Sequence, residues 1–362
     1  MTRWQATTWQ AMAWQATACA TLLVAGALPA QAQSVAEFYR GKTVNVLIGV
    51  GVGGEYDLQA RLVARHIGKH IPGNPLVVPQ NMTGAGGIKM ANYLYTQAAR
   101  DGTNIGMLGN NFPATQAVGG QGVQFDSVKF LWLGSMAAVV ETMAVWHTAG
   151  VKTVDDLRKK EIIAGASGRG AITYIYPSMM NEYLGTKFKL VTGYEGGNQI
   201  NLAMERGEVQ ARNNTWSSWK ATKPIWIRDK LITVVAQAGP RASDLDAPSV
   251  EELAKTPDER KLIELVTSGT HLGRPMATTP DVPAERLAAL RAAYRATMKD
   301  PEFLADATKA GFEVAPVHGE EMQKIVERIM STPKEVAAER SIWWSEHYNK
   351  AALPRDETKE KT

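Results

Sequence analysis

Cysteine is almost absent: one residue, Cys19, in 362. That excludes a disulfide framework and any cysteine-rich metal site. Charge of one sign is also scarce. A formal net charge of +4 on so long a chain gives no reason to expect nucleic acid as a partner. No run of 18 consecutive apolar residues follows residue 30, so the body of the chain is not expected to span a membrane. Glycine (32) and proline (17) are only slightly above ordinary usage, which argues against collagen-like or broadly disordered chain. What is present is a 44% apolar, 21% charged composition, enough to fill an interior. The length suits two domains of about 150 residues each.

Residues 1–33 carry one charge, Arg3, followed by an apolar run from Ala16 to Leu28 and a helix-ending Pro29. Ala30-Gln31-Ala32 then offers the small-x-small pattern of a signal-peptidase site. The segment reads as a cleaved secretory signal peptide. Cys19 lies inside the apolar run, not after it, which disfavours a lipoprotein anchor. The expected product is a cysteine-free protein of net charge +3 in a bacterial periplasm.

Strand-like and helix-like runs alternate through the rest. Val44–Gly49 reads as a strand, Tyr56–His70 as a helix, Pro75–Pro79 as a strand, Gly87–Ala98 as a helix and Thr103–Leu108 as a strand. This order implies parallel strands under crossover helices. The middle section repeats it: strands at Thr142–Trp146, Glu161–Gly165, Phe188–Thr192, Val209–Ala211 and Leu231–Gln237, with helices at Val154–Lys159, Ala171–Leu184 and Asn198–Arg206. No flexible tether separates the two units, so the chain is expected to cross between them on strands. From Pro257 onward helices dominate, the last at Lys334–Tyr348.

Ligands on open α/β sheets bind beyond the carboxyl ends of the strands. Here those ends run into Gly49–Gly54, into Thr83-Gly84-Ala85-Gly86-Gly87 and into Gly109-Asn110-Asn111. Gly49-x-Gly51-x-x-Gly54 matches a dinucleotide fingerprint. The ribose-binding acid that should follow is missing from Leu76–Asn81, so no nucleotide cofactor is expected. Two glycine-rich turns on adjacent strand ends instead aim backbone amides at one point, which favours capture of a carboxylate or phosphate. Ser167-Gly168-Arg169-Gly170 forms a comparable turn in the second unit, and Arg169 could pair with a carboxylate.

Catalytic constellations are poor. The sequence around Ser167 is not G-x-S-x-G, and no histidine stands near it. His66 and His70 share a helix face at metal-pair spacing, but without H-E-x-x-H they read as solvated face residues, and no metal is expected. The acid pairs Asp155-Asp156, Glu251-Glu252 and Glu320-Glu321 read as helix starts. Trp216, Trp219 and Trp226 either pack between domains or offer one stacking wall, Trp216, to a ligand; packing is the better reading.

Several segments together resemble the substrate-binding receptors of tripartite tricarboxylate transporters, the Bug family of periplasmic proteins. They are Phe38-Tyr39-x-Gly41-Lys42, Gly53-Gly54-x-x-Asp57, Gly84-Ala85-Gly86-Gly87 with Ala91-Asn92-Tyr93-Leu94, and Asp101-Gly102-Thr103. Gly193–Gly197, Ala203–Val209 and Pro280-x-Val282-Pro283-x-x-Arg286 complete the set. The resemblance implies a type II periplasmic-binding-protein fold: two α/β lobes joined by a strand hinge, with the ligand cleft between them and no catalysis. It implies that Gly53, Gly54, Tyr56, Asp57 and the Thr83–Gly87 loop (Thr83, Gly84, Ala85, Gly86, Gly87) hold a ligand carboxylate, with Asn110 at the third strand end. It assigns selection of the rest of the ligand to Ser167, Gly168, Arg169 and Gly170 and to Tyr194, Glu195 and Gly196, with Arg212 and Trp216 nearby. Departures occur at Val52 and Thr83, where the family commonly has proline, at the charged Arg169, and in the polar run Arg212–Trp216.

The resulting expectation is a solute receptor, monomeric and without cofactor, that captures a small organic acid. It would hand that ligand to the membrane subunits of a tripartite transporter. The lobes are expected at 34–140 with 242–362, and at 141–241. The alternatives are an exported α/β hydrolase, or a sensory module that presents ligand to a sensor kinase.

Overall fold

A computed structural model describes residues 33–332. The signal-peptide segment, Cys19, the Lys334–Tyr348 helix and the tail beyond it lie outside the described residues. No described helix is long and apolar enough to cross a membrane.

The elements build two sheets. The first contains β1 (Thr43–Ile48), β2 (Leu76–Asn81), β3 (Asn104–Met107), β4 (Leu131–Ser135), and later β10 (Met276–Thr278) and β11 (Val317–His318). Their spatial order is β11-β4-β10-β3-β1-β2. β1 pairs in parallel with β2 and β3, and β10 runs antiparallel between β3 and β4. In β1, Val44, Val46, Leu47 and Ile48 are all buried, as a strand covered on both faces requires. β2 is only half-buried and carries Pro79, which an edge strand tolerates because one side of its backbone needs no partner.

The second sheet holds β5 (Glu141–Trp146), β6 (Ile162–Ala166), β7 (Phe188–Thr192), β8 (Ala211–Thr215) and β9 (Ile232–Ala238), in the order β7-β6-β8-β5-β9. β5 is antiparallel to both neighbours, whereas β6 is parallel to β7 and β8. The chain enters this sheet through residues 136–140 and leaves it after β9. The helix Pro257–Thr267 then packs on the helix Ile172–Leu184 before β10 re-enters the first sheet. The two crossings touch where the Val139 N–H donates to the Thr270 carbonyl at 2.9 Å. Two α/β lobes with a double crossing are the expected architecture.

The differences from expectation are informative. The strand expected at Val209–Ala211 forms instead over Ala211–Thr215, whose Arg-Asn-Asn-Thr side chains are buried with it. Strand propensity disfavours the two asparagines, but the buried polar groups of Arg212, Asn213 and Asn214 belong to the cleft described below. β4, β10 and β11 were not anticipated, two of them being three residues or shorter. Glu251-Glu252 does not start a helix; the two lie in a turn, accepting from Thr267 Oγ1 and Arg241 Nη1 at 2.8 Å each. The three tryptophans pack inside the second lobe rather than between lobes, with Trp219 fully buried. His66 and His70 face separate partners on the neighbouring helix Pro301–Lys309, Asp306 at 3.0 Å and Asp300 at 2.8 Å.

Candidate ligand cleft

Four helices of nine or more residues begin at one cleft between the sheets: Glu55–Ile67, Ile88–Thr96, Ile172–Leu184 and Gly197–Glu205. Their N-cap residues are Gly54, Gly87, Ala171 and Gly196, and none makes a side-chain cap hydrogen bond. Away from the cleft, Ser34, Thr153, Thr256 and Asp300 cap their helices in the usual way. Uncapped first turns present N–H donors, and the helix dipole adds partial positive charge there. Two termini come from each lobe, so a small anion in the cleft meets donors from both sides. The cleft encloses about 810 Å3 of space free of protein atoms, its open mouth included.

At the rim the lobes meet largely through backbone. The Gly51 N–H donates to the Glu195 carbonyl at 2.8 Å, and Asn111 Nδ2 donates to the Gly170 carbonyl at 2.8 Å. Gly86 stands at φ +68°, a conformation that favours glycine, and a Cβ there would come within 2.6 Å of the Ala171 nitrogen. A Cβ on Gly168 would reach the Gly86 nitrogen at 2.6 Å.

Asp57 does not line the cleft. Its buried carboxylate accepts from the Gly53 N–H, from Arg61 Nε and from Asn81 Nδ2, each at 2.9 Å. It therefore shapes the Gly53-Gly54 turn from behind. Asp57→Asn is expected to cost about 1–3 kcal/mol of stability through these charge-assisted bonds. The drop should be read as a lowered melting temperature, with the ligand-charge preference unchanged; an altered preference at constant stability would refute the role.

The floor of the cleft is ionic. Arg274, on the return crossing, donates to Glu55 Oε2 from Nη2 at 2.6 Å and from Nε at 2.8 Å. Its Nη1 reaches the Tyr56 hydroxyl at 3.0 Å and Glu141 Oε1 at 3.4 Å. Glu55 also accepts from the Thr215 and Ser217 hydroxyls of the second lobe. Burial pulls the Arg274 guanidinium down, but Glu55, Tyr56 and Glu141 outweigh it and hold its pKa above the ordinary value. Burial pushes the Tyr56 phenol up, partly opposed by Arg274.

Arg212 is buried beside the helix start at Gly197. It donates to the Asn213 carbonyl at 3.0 Å and Asn201 Oδ1 at 2.7 Å, contacts the Gly197 carbonyl, and lies over the Trp219 ring at 5.2 Å. Among the described residues no carboxylate oxygen stands within 4.0 Å of it. Burial pulls its pKa down to about 9, partly countered by the charge of Glu141. A buried cation with only neutral oxygens around it favours an anion nearby.

The structure thus brings Gly53, Gly54, Tyr56, Gly86, Gly87, Ser167, Gly196 and Arg212 onto one cleft. Thr83, Gly84, Ala85, Gly168, Gly170 and Glu195 belong to the turns that carry it. Asn110 sits behind Tyr56, whose hydroxyl donates to Asn110 Oδ1 at 3.1 Å. Arg169 lies over the Tyr174 ring at 5.5 Å and does not line the cleft. Tyr194 packs against the second-lobe core. Trp216 donates to Asp244 at 2.8 Å and offers the cleft no stacking wall. Sequence reasoning missed Glu55, Glu141, Asn213 and Arg274. A charged residue opening the otherwise uncharged strand Glu141–Trp146 was the one usable signal; nothing in sequence ties Arg274 to residues 219 positions away.

Comparison with known proteins agrees with the Bug resemblance. No family model matches the chain. It is 27% identical over 299 residues, 78% of each chain, to the UPF0065 protein in the TAR-I ttuE-ttuC' intergenic region of Agrobacterium vitis. The periplasmic binding protein BugD matches with a TM-score of 0.66 at 19% identity, over 86% of this chain and 98% of that one. Rpa4515 of R. palustris, solved with adipate, matches at 0.64 and 18%, over 82% and 96%. MatC from Rhodopseudomonas palustris, solved with malate, matches at 0.64 and 18%, over 82% and 99%. The fold is that of the periplasmic binding proteins, as the resemblance implied.

Proposed function

We propose that this chain is an exported, periplasmic solute receptor that closes its two lobes on a small organic carboxylate and does not turn it over. The observation that carries the reading is the convergence of four uncapped helix N-termini, two from each lobe, on one cleft. Ligand in such a site must engage both lobes to offset the cost of ordering them. The adipate and malate held by similar structures are of the same chemical class. Catalysis finds no support in the site. Among the described residues no histidine lines the cleft, and Ser167 Oγ has Thr173 Oγ1 at 3.3 Å as its partner. Delivery of the ligand, by a monomeric receptor, to the membrane subunits of a tripartite transporter belongs to the same proposal.

A thermal-shift screen over mono-, di- and tricarboxylates tests it. A ligand that binds only the folded state raises the melting midpoint with concentration; no shift from any carboxylate would refute the reading. Small-angle scattering should show compaction at saturation. With one change from the expected bounds, the moving bodies are taken as 34–140 with 268–332, against 141–267, because helix Pro257–Thr267 packs on the second-lobe helix Ile172–Leu184. An unchanged radius would indicate a rigid pocket.

Arg169 lies off the cleft, so the charge-reading role falls to Arg212, which lines the cleft with only neutral oxygens as partners. Arg212→Ala should weaken carboxylates by about one to two decades. Unchanged affinity in calorimetry would refute that role.

A further inference from the structure

Two buried acceptors in the cleft have no donor. Glu141 Oε2 and Asn213 Oδ1 are both without a hydrogen-bond partner, and both residues line the cavity at 1% and 0% exposure. They share one face of the β5–β8 pair: Glu141 lies opposite Thr215, and Asn213 lies two residues from Thr215 along the same strand. The orientation of the Asn213 amide is fixed, because its Nδ2 donates to the Thr142 carbonyl at 3.2 Å. Turning it over would set oxygen against oxygen. Glu141 is otherwise held only loosely, with Oε1 at 3.4 Å from both Arg274 Nη1 and Asn110 Nδ2. A buried carboxylate oxygen is costly to leave unpaired, so this corner favours a ligand group that donates; Asn214 Nδ2, an unpartnered donor that also lines the cleft, belongs to the alternate face of the strand.

We propose that the bound carboxylate carries a hydrogen-bond donor, a hydroxyl or an ammonium, and that Glu141 Oε2 and Asn213 Oδ1 receive it. The proposal rests on the carboxylate-receptor reading and names the substituent that reading leaves open. One end of the ligand is an acceptor, met by the helix N-termini; the corner at Glu141 and Asn213 needs the opposite polarity. A plain alkyl carboxylate would seal both acceptors away from water unpaired, so the corner discriminates against it. Tyr176, whose hydroxyl is also unpartnered and lies near enough to Glu141 to feel its charge, stands beyond hydrogen-bond reach and does not line the cleft.

The test is calorimetry on the protein with two matched series: propionate, lactate and alanine; succinate, malate and aspartate. Within a series the members differ by hydrogen, hydroxyl or ammonium at one carbon. At least one donor-bearing member should bind about tenfold or more tighter than its parent. Preference for the hydroxy acid or for the amino acid identifies which donor the corner takes. Glu141→Gln should reduce that preference to less than about threefold while the parent acid still binds, and Tyr176→Phe should leave it unchanged. Thermal melts confirm that each variant folds. Parent and substituted acids binding equally well to the unaltered protein would overturn the donor subsite and leave the carboxylate receptor standing. Binding of none of the six would overturn the donor subsite, and the absence of a thermal shift from every carboxylate of the wider screen would overturn the receptor with it.

Discussion

Gly168→Val is expected to abolish tight ligand capture while leaving each lobe folded. The glycine's Cβ position falls 2.6 Å from the Gly86 nitrogen and 3.0 Å from the Ala85 carbonyl carbon, both backbone of the opposite lobe. Backbone cannot swing aside as a side chain would. Overpacking of this kind costs about 1–3 kcal/mol, or about one to two decades in affinity. The cost arises only when the lobes meet, so the ligand-free melting temperature should hold. Scattering should then show no compaction under ligand. Gly86→Val is a less clean probe, because the residue stands at φ +68° and would also strain its own turn. Normal affinity in Gly168→Val would mean that ligand binds without this contact forming.

Arg274→Ala is expected to give the largest loss of stability of any single change at the site. It strands Glu55 and Glu141, both about 1–4% exposed, without their shared cation. Breaking a buried ion pair from one side costs about 3–5 kcal/mol, which for a lobe of this size lowers the melting temperature by about 10 °C. Arg274→Met combined with Glu55→Gln should recover part of that loss, because the second change removes the orphaned charge. If the double variant melts no higher than Arg274→Met alone, the cost is one of packing rather than charge.

The alternation of apolar runs made the strand and helix order legible, because β1 and the helices at Glu55, Ile88 and Ile172 carry their burial in their own residues. The glycine turns at Gly53-Gly54 and Gly86-Gly87 could be placed on one site because their role is local backbone geometry. The ionic floor could not be read. Arg274 acquires its partners only when a three-residue strand inserts between β3 and β4. β8 hid for the opposite reason: its polar side chains face a cleft that only the finished fold creates. For the tryptophans packing is the better reading, but an aromatic cluster by itself does not say where it packs, and here it packs within the second lobe rather than between domains.

The surfaces that close on each other are made of main chain at Gly51, Gly86, Gly168 and Gly170, while the groups that differ chemically, Arg212, Asn213 and Glu141, stand deeper on the strands. The closing contact is thereby set by main chain, while the side-chain chemistry of the cleft is set on the strands behind it. On the proposed reading, exchange of an interior side chain would redirect the cleft toward another acid without disturbing how the halves fit. Changes at the rim glycines cannot be tolerated in that way. On that reading, the identity of the acid and the fit of the closing edges can be altered independently by mutation.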